Sequence, residues 1–267
     1  MARRTTTRDL HELYEAGIPI TMVTCYDYTF ARLVEKAEID TILIGDSLGN
    51  VMQGQDTTLP VTVEDIIYHC RAVVRGNHSA LIVADMPFMS YQASFEEGMR
   101  NAGRLLKEGG AQAVKVEGGR AVAPLVEQMS AHGIPVVGHL GLTPQSVHKL
   151  GGYRVQGRGE AAGQELLADA KALEEAGAFM LVLEMVPTEL AQKVTESLSI
   201  PTIGIGAGNV TSGQVLVLQD LLGMNQSFTP KFLKRFANLE ETVTEALGAY
   251  RDEVRERSYP GDEHSFD

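Results

Sequence analysis

A chain of 267 residues with 44% hydrophobic content can bury a core of barrel size. Its formal net charge of −12, from 23 basic and 35 acidic residues, argues against a surface built to neutralise nucleic-acid phosphates. Two cysteines, Cys25 and Cys70, are too few for a disulfide framework and fit a reducing, cytoplasmic setting, while no apolar run or leader pattern points to a membrane.

The first expected element is a short helix over Leu10 to Ala16. From residue 20 onward, short runs rich in Val and Ile alternate with longer amphipathic stretches, the pattern of repeated βα units around a parallel sheet. The runs are Ile20 to Cys25, Thr41 to Asp46, Ala80 to Asp85, Gln112 to Glu117, Pro135 to His139, Phe179 to Glu184, Pro201 to Ile205 and Gln214 to Leu218. Between them, Ser94 to Glu97 reads as a capping box, and Thr143-Pro144 and Thr229-Pro230 read as helix starts. Phe232 to Arg255 supplies further helix, and Ser258 to Asp267 is expected to be mobile.

Eight βα units in roughly 200 residues predict a (β/α)8 TIM barrel, with a short N-terminal helix and extra C-terminal helices. A doubly wound open sheet is the alternative. No linker or composition shift divides the chain, so a single domain over 1–267 is expected.

In a parallel barrel the working groups stand at the carboxyl ends of the strands. Here five consecutive runs end in Asp46, Asp85, Glu117, His139 and Glu184, each able to bind a metal or move a proton. Acids fill only 35 of 267 positions, so four at equivalent places point to one functional cluster rather than coincidence.

Lys115 and Glu117 are two apart in a strand and therefore face the same side. A lysine on the inner side of a barrel is costly unless paired. Either it makes a buried ion pair with a neighbouring strand acid, or it meets the carboxylate of a substrate. The stretch from Gly45 through Ser47 and Gly49 to Pro60 is long for a βα connection, and its glycines and the Ser47 hydroxyl suit close approach to a ligand.

A metal held by carboxylates with at most one imidazole should be hard, which selects Mg2+. Zinc is disfavoured by the lack of its usual ligand spacings, and His11, His132 and His148 read as surface or helix residues. Gly204 to Gly208 is either an anion-binding turn or a tight turn needed for packing; its spacing matches no nucleotide fingerprint.

The sequence resembles the ketopantoate hydroxymethyltransferase family from about residue 4 to 245. The resemblance is carried by Val23 to Asp27, Ile44 to Gly49, Asp56 to Thr62, Val116 to Gly119, Gly138 to Ser146, Leu183-Glu184 and Ile200 to Gly208. It implies a barrel that moves a hydroxymethyl group from 5,10-methylenetetrahydrofolate, a co-substrate, to 3-methyl-2-oxobutanoate, giving 2-dehydropantoate through a Mg-stabilised enolate. Carried over residue by residue, it implies Asp46 and Asp85 as Mg2+ ligands, with Glu117 completing the metal site. It also implies Asp46, Ser47, Asp85, Lys115 and His139 as substrate contacts, Glu184 as proton acceptor, and a cytoplasmic homodecamer. Met185 and Gln219 depart from the family's usual residues, and Asn209 to Ser212 replaces a variable turn. The alternatives are a Mg-dependent lyase or mutase of another 2-oxo acid, or a non-catalytic barrel that binds the oxo acid.

Overall fold

The computed structural model describes residues 3–266, so Met1, Ala2 and Asp267 lie outside the described residues. It contains two compact units, one running to Val217 and the other starting at Leu218. The first is a closed eight-stranded parallel barrel with strands in sequence order, which rules out the open sheet. Its strands are β1 (Ile20–Thr24), β2 (Thr41–Ile44), β3 (Leu81–Asp85), β4 (Ala113–Glu117), β5 (Val136–Gly141), β6 (Met180–Glu184), β7 (Thr202–Ile205) and β8 (Gly213–Leu216).

The connecting helices are α1 (Thr7–Glu15), α2 (Tyr28–Lys36), α3 (Leu48–Val51), α4 (Val63–Gly76), α5 (Phe95–Arg104), α6 (Ala123–Ala131), α7 (Val147–Leu150), α8 (Glu160–Glu175) and α9 (Thr188–Ser197). α5 runs on into a π-helical turn, Leu105–Gly109. Strands β2, β3 and β4 are buried at every position, because the barrel interior covers one face and the helices cover the other. Closure pairs β1 with β8 from Ile20↔Gly213 onward. A side chain at 213 would run into the Ile20 carbonyl, so the seam depends on glycine there.

One buried cluster fills the barrel: Ile20, Met22, Leu43, Leu81, Val83, Ala113, Val137, Met180, Val182, Ile203 and Val215 from the strands, with Leu10 of α1. Continuing these inner rows by two residues toward the carboxyl ends changes their chemistry. Val83 is followed by Asp85, Ala113 by Lys115 and Glu117, Val137 by His139, and Val182 by Glu184. The barrel is therefore apolar at its base and charged at its mouth.

Local differences from the sequence reading have local causes. Ser94 caps α5 by accepting from Glu97 N, as expected of its hydroxyl, while the reciprocal half of a capping box is formed instead at Thr6/Asp9 and Thr62/Asp65. Thr143-Pro144 opens only a 3-10 turn, Pro144–Ser146, with no side-chain cap.

In the second unit, α10 (Leu218–Leu221) and α11 (Leu239–Glu256) are the α-helices. Thr229-Pro230 opens no helix, and α11 begins at Leu239 rather than Phe232. The intervening chain is held by hydrogen bonds across a turn, such as Phe236 N to Leu221 O and the Arg235 guanidinium to the Phe228 carbonyl. Within the stretch expected to be mobile, Asp262–His264 forms a 3-10 turn, and the Tyr259 ring lies against Tyr250 and His264. No helix among the described residues is long and apolar enough to cross a membrane.

Candidate active site

Asp85, Glu117 and Glu184 are the last residues of their strands, His139 lies two residues inside the end of β5, and Asp46 stands two residues beyond β2. Parallel register sets Asp85 beside Lys115 and Glu117 beside His139. The groups read from the sequence thus face one mouth.

Lys115 Nζ lies 3.0 Å from Asp85 Oδ1, both side chains at most 4% exposed, so the buried ion pair open at the level of sequence is formed. Burial works against the ammonium, yet Asp85, Glu117 and Asp46 hold it protonated and raise its pKa. His139 sits between two carboxylates, Nδ1 3.3 Å from Glu117 Oε1 and Nε2 3.2 Å from Glu184 Oε2. Burial and Lys115 lower the imidazole; Glu117 and Glu184 overcome both and push it up to about 9. Below about pH 9 the ring is then an imidazolium held between the two carboxylates, and Lys115 Nζ lies 3.2 Å from its Nδ1.

Burial, with Asp85 and Glu117 nearby, raises Asp46 well above the carboxylate range. Burial also raises Asp85, against the pull of Lys115. Glu117 goes the other way: burial opposes its charge, but His139, Lys115 and the Gln145 N–H hold it low. Glu184 is the most accessible of these acids, its side chain 17% exposed against 4% for Glu117. Ser47 Oγ is 2.7 Å from the buried Tyr26 hydroxyl. Gly45 allows Ser47 Oγ, Asp85 and Tyr26 to gather against its α-carbon, whereas Gly49 packs on Val61 and is used by the fold.

Three contributors went unread in the sequence. Gln145 Nε2 donates to Asp46 Oδ2 at 2.8 Å and to the Met86 carbonyl at 2.9 Å, while its backbone N donates to Glu117 Oε2 at 2.9 Å. Its Oε1 accepts from the Tyr91 hydroxyl at 2.9 Å and from Gln92 Nε2 at 3.2 Å. Tyr91 is the second contributor, and Tyr26, through Ser47, the third. Gln145 closes no apolar run, since it lies in the turn after β5, although it falls within the motif Gly138 to Ser146.

Among the described residues no three His, Cys, Asp or Glu side chains are gathered closely enough to hold a metal ion alone. Mg2+ does not require that, since it keeps several waters and commonly takes one or two carboxylates with oxygens of the substrate. The donor set fits a hard cation: Asp46, Asp85 and Glu117 are buried carboxylates, with Asp85 Oδ1 and Glu117 Oε1 held as ion pairs by Lys115 Nζ and His139 Nδ1. With all four acids ionised, as metal binding would require of its ligands, Asp46, Asp85, Glu117 and Glu184 against the cations Lys115 and His139 would leave a formal −2, which a divalent cation would neutralise; in the metal-free site burial instead raises Asp46 and Asp85. Gly204 to Gly208, by contrast, is occupied with packing: side chains at 204 and 208 would meet Thr211 and Thr188.

Comparison with known proteins follows the same lines. Residues 4–262 match the family described as Ketopantoate hydroxymethyltransferase. The chain is 58% identical over 254 residues to a 3-methyl-2-oxobutanoate hydroxymethyltransferase of Leptospira biflexa, covering 95% of each chain. It is 57% identical to the enzyme of that name from Moorella thermoacetica, covering 98% of each. Among solved structures, a phosphonopyruvate hydrolase in complex with oxalate and Mg2+ superposes with TM-score 0.61 at 12% identity, covering 97% of this chain and 93% of the other. A 2,3-dimethylmalate lyase of the PEP mutase/isocitrate lyase superfamily gives TM-score 0.60 at 17% identity, over 97% and 87%. These two likenesses are of fold.

Proposed function

Since this chain belongs to the ketopantoate hydroxymethyltransferase family and is an enzyme of the transferase class, we propose that it converts 3-methyl-2-oxobutanoate to 2-dehydropantoate, for pantothenate synthesis, with 5,10-methylenetetrahydrofolate as the one-carbon donor. The observation that carries this reading is the mouth itself: an anchored lysine, two buried aspartates and a more accessible glutamate within one set of strand ends. Asp46 and Asp85 would hold Mg2+, with Glu117 beside them. When bound, Mg2+ supplies Lewis-acid polarisation of the keto oxygen, which makes the C3 proton removable.

The chain's own groups do the rest. Lys115, with one N–H kept on Asp85 and others free to donate, and the Ser47 hydroxyl orient the substrate carboxylate, with Tyr26 fixing the hydroxyl. Glu184 takes the proton from C3, and His139 holds it from behind while also bracing Glu117. The enolate carbon forms its new bond to the folate-borne methylene, whose carbon–nitrogen bonds break; tetrahydrofolate leaves and one water supplies the product hydroxyl. Met86 and Leu142, buried just beyond the ends of β3 and β5, add apolar surface beside these strand ends.

The test is a coupled assay with oxo acid, folate and Mg2+. Folate-dependent 2-dehydropantoate is the expected product. Turnover of another 2-oxo acid without folate would favour a lyase or mutase, and oxo-acid binding without turnover a non-catalytic barrel. The same reading takes 1–267 as one functional domain, working in the cytoplasm as a homo-oligomer, a decamer, which light scattering can count.

A further inference from the structure

We propose that the rim loop between Gln145 and Gln156 receives the folate co-substrate, its basic residues Lys149 and Arg154, with Arg158 just beyond it, taking the carboxylates of the glutamate tail. The inference rests on the folate reading above and adds where that molecule docks.

Both ends of the loop are fixed at the site. Gln145 is tied to Asp46 and Glu117, and Gln156 N donates to the Met185 carbonyl at 2.9 Å, one residue past Glu184. A residue spans at most ~3.6 Å of chain, so Arg154 and Arg158, each two residues from Gln156, have their α-carbons within about 7 Å of it. By the same reach Lys149, four residues from Gln145, lies within about 14 Å of that anchor. The three side chains cannot be far from the mouth.

They are also uncommitted. All three residues are exposed, and none takes part in an ion pair among the described residues, unlike Arg104, Arg120 or Lys171. No acid occurs between Glu127 and Glu160, although 35 of the 267 residues are acidic. A chain of net charge −12 repels a polyanion over most of its surface. Between Gln145 and Gly159 the formal charges are Lys149, Arg154 and Arg158, all positive, with Glu160 the next acid in sequence.

Tyr153, 51% exposed, stands between Lys149 and Arg154 in the sequence. Burial of part of the ring, with Glu184, Asp46 and Glu117 nearby, raises its phenol. A flat heteroaromatic donor delivering its methylene above Glu184 would rest against this ring, and its tail would leave across the basic rim.

The experiment compares the wild-type chain with Arg154→Glu, Arg158→Glu and the double variant, all changes at exposed positions. Steady-state constants are measured for mono- and triglutamyl methylenetetrahydrofolate at low and high salt, together with folate-free exchange of the C3 proton of the oxo acid. The expected result is a folate KM raised about fivefold or more in the double variant, most for the triglutamyl form and shrinking with salt, while the oxo-acid KM and the exchange rate move less than about twofold. Folate constants equal to wild type overturn the docking proposal alone. A parallel rise for both substrates also overturns it, since that is damage to the mouth. A wild-type chain that exchanges the C3 proton yet gives no folate-dependent product overturns the donor reading, and this inference with it.

Discussion

Gln145 and Asp46 are 99 residues apart and joined by a 2.8 Å hydrogen bond, with the Gln145 amide donating to Asp46 Oδ2. The amide orientation is over-determined. Exchanging its oxygen and nitrogen would face the oxygen toward Asp46 Oδ2 and the Met86 carbonyl, and set two NH2 groups against each other at Gln92. One Asp46 oxygen is thus committed to the protein, leaving the other for a ligand.

Gln145→Met keeps the side-chain length and removes these bonds. Affinity for Mn2+, measured by calorimetry without substrates, should fall about 10- to 100-fold. Tyr91→Phe, which removes the O–H oriented on the amide, should fall in the same direction and be non-additive with Gln145→Met. Unchanged affinity in folded variants would show that the amide does not position Asp46.

Glu184→Gln should retain metal and oxo-acid binding and lose roughly 10² to 10⁴-fold in turnover. Deuterium exchange at C3 of the oxo acid should fall in parallel. Exchange at the wild-type rate would remove Glu184 from the role of base.

Asp46→Ala and Asp85→Ala should each weaken Mg2+ binding, since each removes a hard oxygen donor. If calorimetry finds the affinity intact in both, the carboxylate site lies elsewhere.

The Lys115–Asp85 pair gives a stability prediction. Lys115→Met strands a carboxylate that is 3% exposed, and urea unfolding of the metal-free chain should show a loss of about 3 to 5 kcal/mol. Pairing it with Asp85→Leu should restore most of the loss. A single variant as stable as wild type would mean that Asp85 is neutralised by other means.

His139 predicts a pH dependence. Its pKa is raised from 6.5 to about 9 in the fold, so the folded state binds its proton more tightly than the unfolded chain. The resulting stability, on the order of 3 kcal/mol, is fully present below about 6.5 and lost as pH rises through about 9. Unfolding free energies of wild type should decline over that window, and the His139→Asn difference should shrink with it. A difference that is flat from pH 6 to 10 would contradict the charged imidazole.

The sequence by itself determined the architecture and the identity of the strand-end groups. All eight expected runs coincide with strands to within two residues, because apolar runs broken by amphipathic helices leave a parallel barrel few other ways to bury them. Period-two alternation also placed Lys115 and Glu117 on the inner side. What the sequence could not set was which groups meet. Gln145 reaches Asp46 only because β2 and β5 open onto the same mouth, and His139 is charged only because carboxylates from β4 and β6 flank it. The start of α11 was likewise misread, since hydrogen bonds across the preceding turn outweigh a Thr-Pro cap signal. Backbone pattern is written locally, in propensity and burial period. The charge state and aim of a buried polar group depend on neighbours that only closure of the barrel brings together.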